Sequence, residues 1–179
     1  VLIMDVADRV VLITGASSGV GAALATQLAE MGARVVVNYS RSVEAAEAVV
    51  EQITGAGGQA LAVQADVSEE GDCKQLVAKT IEQFGQLDVL VNNAGTTTFV
   101  PHDQLDALTE DIWLRTLRVN LIGAFMMSRE AAPHIEAAGG GEIVMTSSIA
   151  SMTANGSSIA YCASKAGMNS LTRTLAKTL

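Results

Sequence analysis

The sequence predicts an α/β fold, a doubly wound parallel sheet between two layers of helices, and three observations carry that expectation. Short β-branched runs alternate with segments of helical periodicity along the chain. Glycines punctuate the ends of the helical segments, at Gly32, Gly55 and Gly85. The length, 179 residues, suits one domain with one good core.

Strands are expected at residues 10–14, 34–38, 61–64, 89–92 and 142–146. Residues 19–31 form the first helix, with Ala22, Ala25, Leu28 and Ala29 on one face. Ser42 is placed to cap the second, where Val43, Ala46, Val49, Val50 and Ile53 recur at helical spacing. Ser68 is placed to cap the third, whose first turn holds Glu69 and Glu70 at the positive end of the helix dipole. The longest helix is expected over 110–137 with a bend at Pro133, and a last one begins near Ser158. No internal repeat, low-complexity tract or linker interrupts this series, which reads as a single domain over 1–179.

Composition excludes several classes. Hydrophobic residues make up 49% and charged ones 17%, yet no apolar run approaches the ~18–20 residues of a membrane span. A net charge of −8 without a basic patch argues against nucleic-acid binding. Residues 1–4 are too short for a secretory signal, and Cys73 and Cys162 lack metal-ligand spacing, so the expectation is a cytoplasmic protein without a metal. The sequon-like triplets at Asn38 and Asn155 then read as chance.

Gly15, Gly19 and Gly21 stand between a hydrophobic strand and a helix, where backbone amides and the helix dipole hold phosphates. Tight turning and close packing explain such glycines equally well. The spacing departs from G-x-G-x-x-G, and no Lys-Ser or Lys-Thr pair follows, which disfavours a triphosphate site.

The stretch Thr14-Gly15-Ala16-Ser17-Ser18-Gly19-Val20-Gly21 resembles the cofactor loop of the short-chain dehydrogenase/reductase family, and "NNAG" at 92–95 resembles that family's signature after the fourth strand. Asp66-Val67 after strand three, Asn120 in the long helix, Ser148 after strand five and "YCASK" at 161–165 complete six motifs in the family's order. The look is nearest to 3-oxoacyl-carrier-protein reductases, though no motif separates these from sugar and alcohol dehydrogenases of the family. The resemblance implies a Rossmann-like fold and a nicotinamide cofactor lying along Gly15, Ser17, Ser18, Gly19, Val20 and Gly21. It further implies adenine at Asp66 and Val67, with Asn93, Ala94 and Gly95 along the cofactor's path. Asp66 also fits a plain turn aspartate.

Cofactor choice is read at the end of the second strand. An acidic side chain there accepts from the ribose hydroxyls in NAD-specific folds. This chain has Asn38, Tyr39, Ser40 and Arg41 instead, with no carboxylate to repel a 2′-phosphate and a guanidinium within reach of one. NADP(H) is therefore favoured over NAD(H), although Arg41 also fits a solvated loop cation and Ser18 lacks the positive charge many NADPH-preferring relatives carry in the glycine loop.

Tyr161 and Lys165 are four apart on a helix and share a face. A neighbouring cation favours phenolate, which suits a tyrosine that exchanges a proton with substrate oxygen while hydride moves between nicotinamide and carbon. Seen alone, such a pair has no consequence; its company gives it one. Ser148, thirteen residues before Tyr161, resembles the family's serine that polarises the carbonyl, although serines at 147, 148 and 151 also fit turn chemistry. Asn120 falls on the long helix's apolar stripe, where a buried amide needs a partner. A backbone group in the core would serve, and the resemblance implies a water linking Lys165 to solvent. His102 and His134 lie outside these motifs, so no serine-hydrolase arrangement is expected.

Relative to the family the chain reads as C-terminally incomplete, without a sixth and seventh strand, which leaves 142–146 as an apolar edge. The leading expectation is an NADP(H)-dependent oxidoreductase acting on a small-molecule carbonyl or secondary alcohol. An NAD-dependent alcohol or sugar dehydrogenase, a catalytically incomplete nucleotide-binding module and an interaction fragment are the alternatives. The resemblance also implies a homo-oligomer, dimer or tetramer, built on the outward sides of the long helix and the Tyr161 helix, with Ala124, Met127, Ala131, Met168 and Leu171 as its apolar contacts.

Overall fold

The computed structural model describes residues 5–179, so the reading of residues 1–4 lies outside the described residues. The strands are β1 Val10–Ile13, β2 Arg34–Tyr39, β3 Gln59–Gln64, β4 Val89–Asn92 and β5 Glu142–Met145. They pair in parallel in the order β3-β2-β1-β4-β5. The order reverses between β1 and β4, where the crossovers change face and the strand ends splay to leave a crevice. The helices are α1 Gly19–Glu30, α2 Val43–Gly55, α3 Glu70–Phe84, α4 Glu110–Leu117, α5 Ala124–Ala137, α6 Ala150–Thr153 and α7 Ile159–Thr178.

The run Val10-Val11-Leu12-Ile13 is buried at every position because β1 has helices on both sides. Side chains alternate between the two faces. Val11, Ile13, Val35 and Val37 pack with Ala25 and Ala29 of α1 and with Ala46 and Ile53 of α2. Val10, Leu12, Val36 and Leu90 meet Leu76 and Val77 of α3 and Met127, Ala131 and Ile135 of α5. The helical faces expected for α1 and α2 are the faces that pack. β5 is an outer strand, and its Val144 is 42% exposed.

Several expectations are corrected. The helix expected over 110–137 is interrupted by a π-helical segment, Arg118–Gly123, while Pro133 lies inside α5. A cause is visible on each side of this wide turn: the Asn120 amide reaches out to the backbone of Thr96, and a Cβ on Gly123 would come within 2.7 Å of the Val67 carbonyl oxygen. Ser68 does not cap α3, because its hydroxyl donates to Asp66 Oδ1 and Glu69 takes the cap position. Ser42 occupies the cap position of α2 without a side-chain cap bond. The short helix α6 was not expected.

The apolar residues assigned to an outward oligomer face are also corrected. Ala124, Met127, Ala131 and Met168 are buried within the chain itself, Met127 and Met168 completely. On α5 the stripe of Met127 and Ala131 packs against the sheet and α3, which satisfies it intramolecularly. The exposed apolar side chains on this stretch are Leu114, Ile122 and Phe125.

Candidate active site

At the carboxyl ends of the strands lie two clefts, of about 510 Å³ and about 460 Å³. Asn93, Gly95 and Thr96 line both, so the loop after β4 is their common wall.

The glycine loop bounds the first cleft. Gly15 has φ +63°, and a Cβ on it would lie 2.9 Å from Ala94 Cα, so the loop rests directly on the chain after β4. A Cβ on Gly21 would lie 2.6 Å from both the Gly15 carbonyl oxygen and Asn93 Nδ2, which brings α1 against the loop. Gly15, Ser17, Ser18 and Val20 line the cleft, whereas Gly19 and Gly21 shape the turn behind it. Ser18 occupies the N-cap position of α1 but makes no side-chain cap bond. Backbone N–H groups at such a helix start remain to receive an anion.

Buried polar side chains fix this loop. The Thr14 hydroxyl accepts from the amides of Asn93 and Ala94, both at 3.0 Å, and Asn93 Nδ2 donates back to the carbonyls of Thr14 and Gly15. Asn38 Oδ1 accepts from the Gly15 amide, while its Nδ2 donates to the Ala65 carbonyl at 3.0 Å. The Asn38 amide thus ties the glycine loop to the end of β3. Thr14 was not singled out in the sequence. The signal available was its place at the head of the glycine motif, one residue after an apolar strand.

Ser40 and Arg41 line the outer end of this cleft, as do Tyr39, Asp66 and Val67. Asp66 Oδ1 accepts from the amide and the hydroxyl of Ser68, at 2.9 and 2.7 Å. Burial pushes the Asp66 carboxyl up, but those two hydrogen bonds and the charges of Arg41 and Arg115 outweigh it and hold the group below the usual carboxylate range. Arg115 and Val119 complete this end, and the sequence did not mark them. They stand one helical turn apart, Val119 next to Asn120, and that spacing was the available signal.

The second cleft brings together Ser148, Tyr161 and Lys165. Lys165 is 3% exposed, and burial pushes its ammonium below the usual lysine range. Its Nζ donates to the Thr146 carbonyl at 2.7 Å and lies 5.8 Å from the centroid of the Tyr161 ring. Ser148 Oγ accepts from the Ala150 amide at 3.2 Å, which leaves its own proton to donate elsewhere. Ser147 differs, because its hydroxyl donates to Asn169 Oδ1 at 2.6 Å. Of the neighbouring serines, only Ser147 and Ser148 line the cleft, and Ser148 alone keeps its hydroxyl proton uncommitted among the described residues.

Asn120 is fully buried behind the common wall and lines neither cleft. Its Oδ1 accepts from the Thr96 amide at 2.7 Å, and its Nδ2 donates to the Thr96 carbonyl and the Ser164 hydroxyl. The backbone partner anticipated for a buried amide is therefore Thr96. At the far side of the second cleft the Thr97 and Ser157 hydroxyls are 2.8 Å apart, and His102 Nε2 is 2.7 Å from the Ser157 carbonyl. Among the described residues no His, Cys, Asp and Glu cluster could hold a metal, and no helix is long and apolar enough to cross a membrane.

Comparison with known proteins adds identity to this geometry. A family model described as short chain dehydrogenase matches residues 9–179. The 3-oxoacyl-[acyl-carrier-protein] reductase of Synechocystis is 40% identical over 171 residues, covering 96% of this chain and 68% of that protein. Versicolorin reductase 1 of Aspergillus parasiticus is 46% identical over 140 residues, covering 78% and 52%. A metagenomic short-chain oxidoreductase, solved in complex with NADP, superposes with a TM-score of 0.89 at 36% identity, covering 98% of this chain and 77% of that one. The chain spans about two thirds of the length of several of the relatives it matches.

Proposed function

The chain belongs to the short-chain dehydrogenase family of oxidoreductases, and from that premise we propose that it uses NADP(H) to reduce a carbonyl or oxidise a secondary alcohol, with Tyr161 exchanging the proton. The observation that carries this reading is the common wall. The cleft at the glycine loop adjoins the cleft that holds Ser148, Tyr161 and Lys165 through Asn93, Gly95 and Thr96.

The residues fit a dinucleotide. Gly15 and Gly21 hold the loop where no side chain has room, and α1 starts without a side-chain cap, so backbone amides receive the pyrophosphate. Val67 and the free side of Asp66 meet the adenine, and Ala94 and Gly95 lie along the path inward. Arg41 and the absence of a carboxylate after β2 favour a 2′-phosphate, and the NADP-bound relative supports the same choice. When bound, the cofactor supplies or accepts a hydride at its nicotinamide.

The chain's own groups handle the proton and the developing charge. The Tyr161 hydroxyl gives its proton to the substrate oxygen during reduction and takes it back during oxidation. Lys165, held on the Thr146 carbonyl beside the ring, stabilises the negative charge left on the phenol oxygen. Ser148 donates a hydrogen bond to the substrate oxygen, with its geometry set by the Ala150 amide. Asn120 fixes Thr96, and with it the wall between cofactor and substrate. The name of the Synechocystis relative supports a 3-oxoacyl carbonyl as the substrate class.

Titration with NADPH and with NADH, followed by energy transfer from Trp113 and by calorimetry, tests the cofactor. NADPH is expected to bind at least about tenfold more tightly, the effect of one charge-assisted contact, and failure of both to bind sinks the reading. With NADPH and a 3-oxoacyl thioester, Tyr161→Phe is expected to lower turnover by about 10²- to 10⁴-fold without changing NADPH affinity. Retained turnover removes Tyr161 from its role. A binding module without turnover is a second reading, favoured by the exposure of Ile149 (66%) and Met152 (75%) beside the second cleft; NADPH binding without reduction would support it.

A further inference from the structure

We propose that Asn169 is a positioning residue that fixes Ser148 against Tyr161 through hydrogen bonds to Ser147 and Ser151. The inference rests on the roles proposed for Tyr161 and Ser148. Tyr161, Lys165 and Asn169 follow one another at four-residue spacing and share one side of α7. That side grips the segment after β5 at successive residues. Lys165 Nζ donates to the carbonyl of Thr146 at 2.7 Å. Asn169 Oδ1 accepts from the Ser147 hydroxyl at 2.6 Å, and its Nδ2 donates to the Ser151 hydroxyl at 2.8 Å. The Ser151 hydroxyl in turn donates to the carbonyl of Ser148 at 2.6 Å, beside the Ser151 amide at 3.0 Å.

The network has a direction. A hydroxyl carries one proton, and that of Ser151 is committed to the Ser148 carbonyl, so Ser151 must accept from Asn169. The Asn169 amide then presents its oxygen to Ser147, whose proton points toward it. Reversing the amide would set N–H against Ser147 and demand the Ser151 proton that holds Ser148. An amide at 169 satisfies both arms, and among the described residues no other side chain is hydrogen-bonded to both Ser147 and Ser151. The Ser148 hydroxyl stays outside the network, anchored by the Ala150 amide and open to the cleft. One helix thus sets the spacing between the two groups proposed to meet one substrate oxygen.

Aspartate keeps the shape of asparagine and the arm to Ser147, but ionised it cannot donate to Ser151. Asn169→Asp and Ser151→Ala therefore sever the same arm from opposite ends. Each is expected to lower kcat for reduction of a 3-oxoacyl thioester about tenfold or more, in line with small misplacements of reacting groups, with NADPH affinity and KM within about twofold. The double variant is expected to be no worse than either single one, because residues acting through one network are not additive. Amide exchange gives a readout independent of turnover: protection at Ala150 and Ser151 should fall while residues 161–168 keep theirs.

Wild-type kcat in Asn169→Asp, losses that multiply in the double variant, or unchanged protection at Ala150 and Ser151 would each overturn the proposal. So would a kcat loss matched by an equal loss of NADPH affinity, which marks general disruption. Tyr161→Phe in the same preparation separates the two levels. Full turnover there means that the reading of the site has failed, whereas its loss beside an unaffected Asn169→Asp means that this inference alone has.

Discussion

Asp66 shares the first cleft with two guanidinium groups whose charges act on it, that of Arg41 from the loop after β2 and that of Arg115 from α4. The two cations are expected to do different work. In the proposed complex the end of β2 faces the ribose and Arg41 follows it, so Arg41→Ala should weaken NADPH about 10- to 100-fold, the range of a lost charge-assisted bond, and leave NADH nearly unchanged. Arg115 bears on Asp66, whose proposed partner is the adenine common to both cofactors. Arg115→Ala should therefore weaken NADPH and NADH alike, by about two- to fivefold as for an exposed charge, and less at high salt. Calorimetry on the two variants checks this, and an equal loss of NADH in Arg41→Ala would remove Arg41 as the phosphate reader. Arg41 was legible because its place is fixed by distance from the glycine loop. Arg115 was not, because its meeting with Asp66 spans 49 residues and depends on how α4 docks. Asn38 was legible as a cleft residue, but not as the knot between the glycine loop and Ala65, since a buried amide's partners are chosen by packing.

The sheet and its helices were readable from periodicity because β1, β2 and β4 are covered on both faces and each long helix buries one stripe. Where periodicity failed, a contact distant in sequence had decided the local form. The π turn at Arg118–Gly123 answers to Val67 and Thr96, and nothing in the run from Val119 to Ala124 announces it. A comparable long-range bond lies at the other end of the sheet. Asp88, 1% exposed and just before β4, accepts from the Val10 amide (2.8 Å), Arg9 Nη1 (2.8 Å) and Gln86 Nε2 (2.7 Å), joining the starts of β1 and β4. Burial pushes its carboxyl up, but the hydrogen bonds from Val10, Arg9 and Gln86 prevail and hold it below the usual range. A depressed carboxyl gives stability that is fully present above the unfolded-state value, about 3.9, and is lost as pH falls through the lower folded-state value. Asp88→Ala should cost about 2–3 kcal/mol at pH 7, since it strands a buried amide and a guanidinium. The gap between wild type and variant in urea denaturation should then close below about pH 4. A gap independent of pH would show that the carboxylate's charge is not what joins the strands.

For the whole molecule, the question left by the corrected helix faces is what covers the outward apolar side chains. Met127, Ala131 and Met168, completely buried, belong to the core of one chain, and Ala124 is nearly so. Leu114 (51% exposed), Ile122 (45%) and Phe125 (41%) remain on the solvent side of α4, the π segment and α5. Apolar area gains roughly 25 cal/mol per Å² when removed from water, so these three side chains are apolar area that a twofold contact would gain by covering. The homo-oligomer proposed from family membership is therefore expected to use Leu114, Ile122 and Phe125. Ile122→Glu with Phe125→Glu should convert a dimer or tetramer to monomers in light scattering, with NADPH affinity unchanged because neither residue lines a cleft. Met127→Glu provides the contrast. A charge placed there faces Leu90 and Ala131 rather than a partner, so it should unfold the chain instead of dissociating an assembly. Monomeric wild type at micromolar concentration would sink the oligomer, and a folded, monomeric Met127→Glu would return the interface to the residues the sequence first suggested.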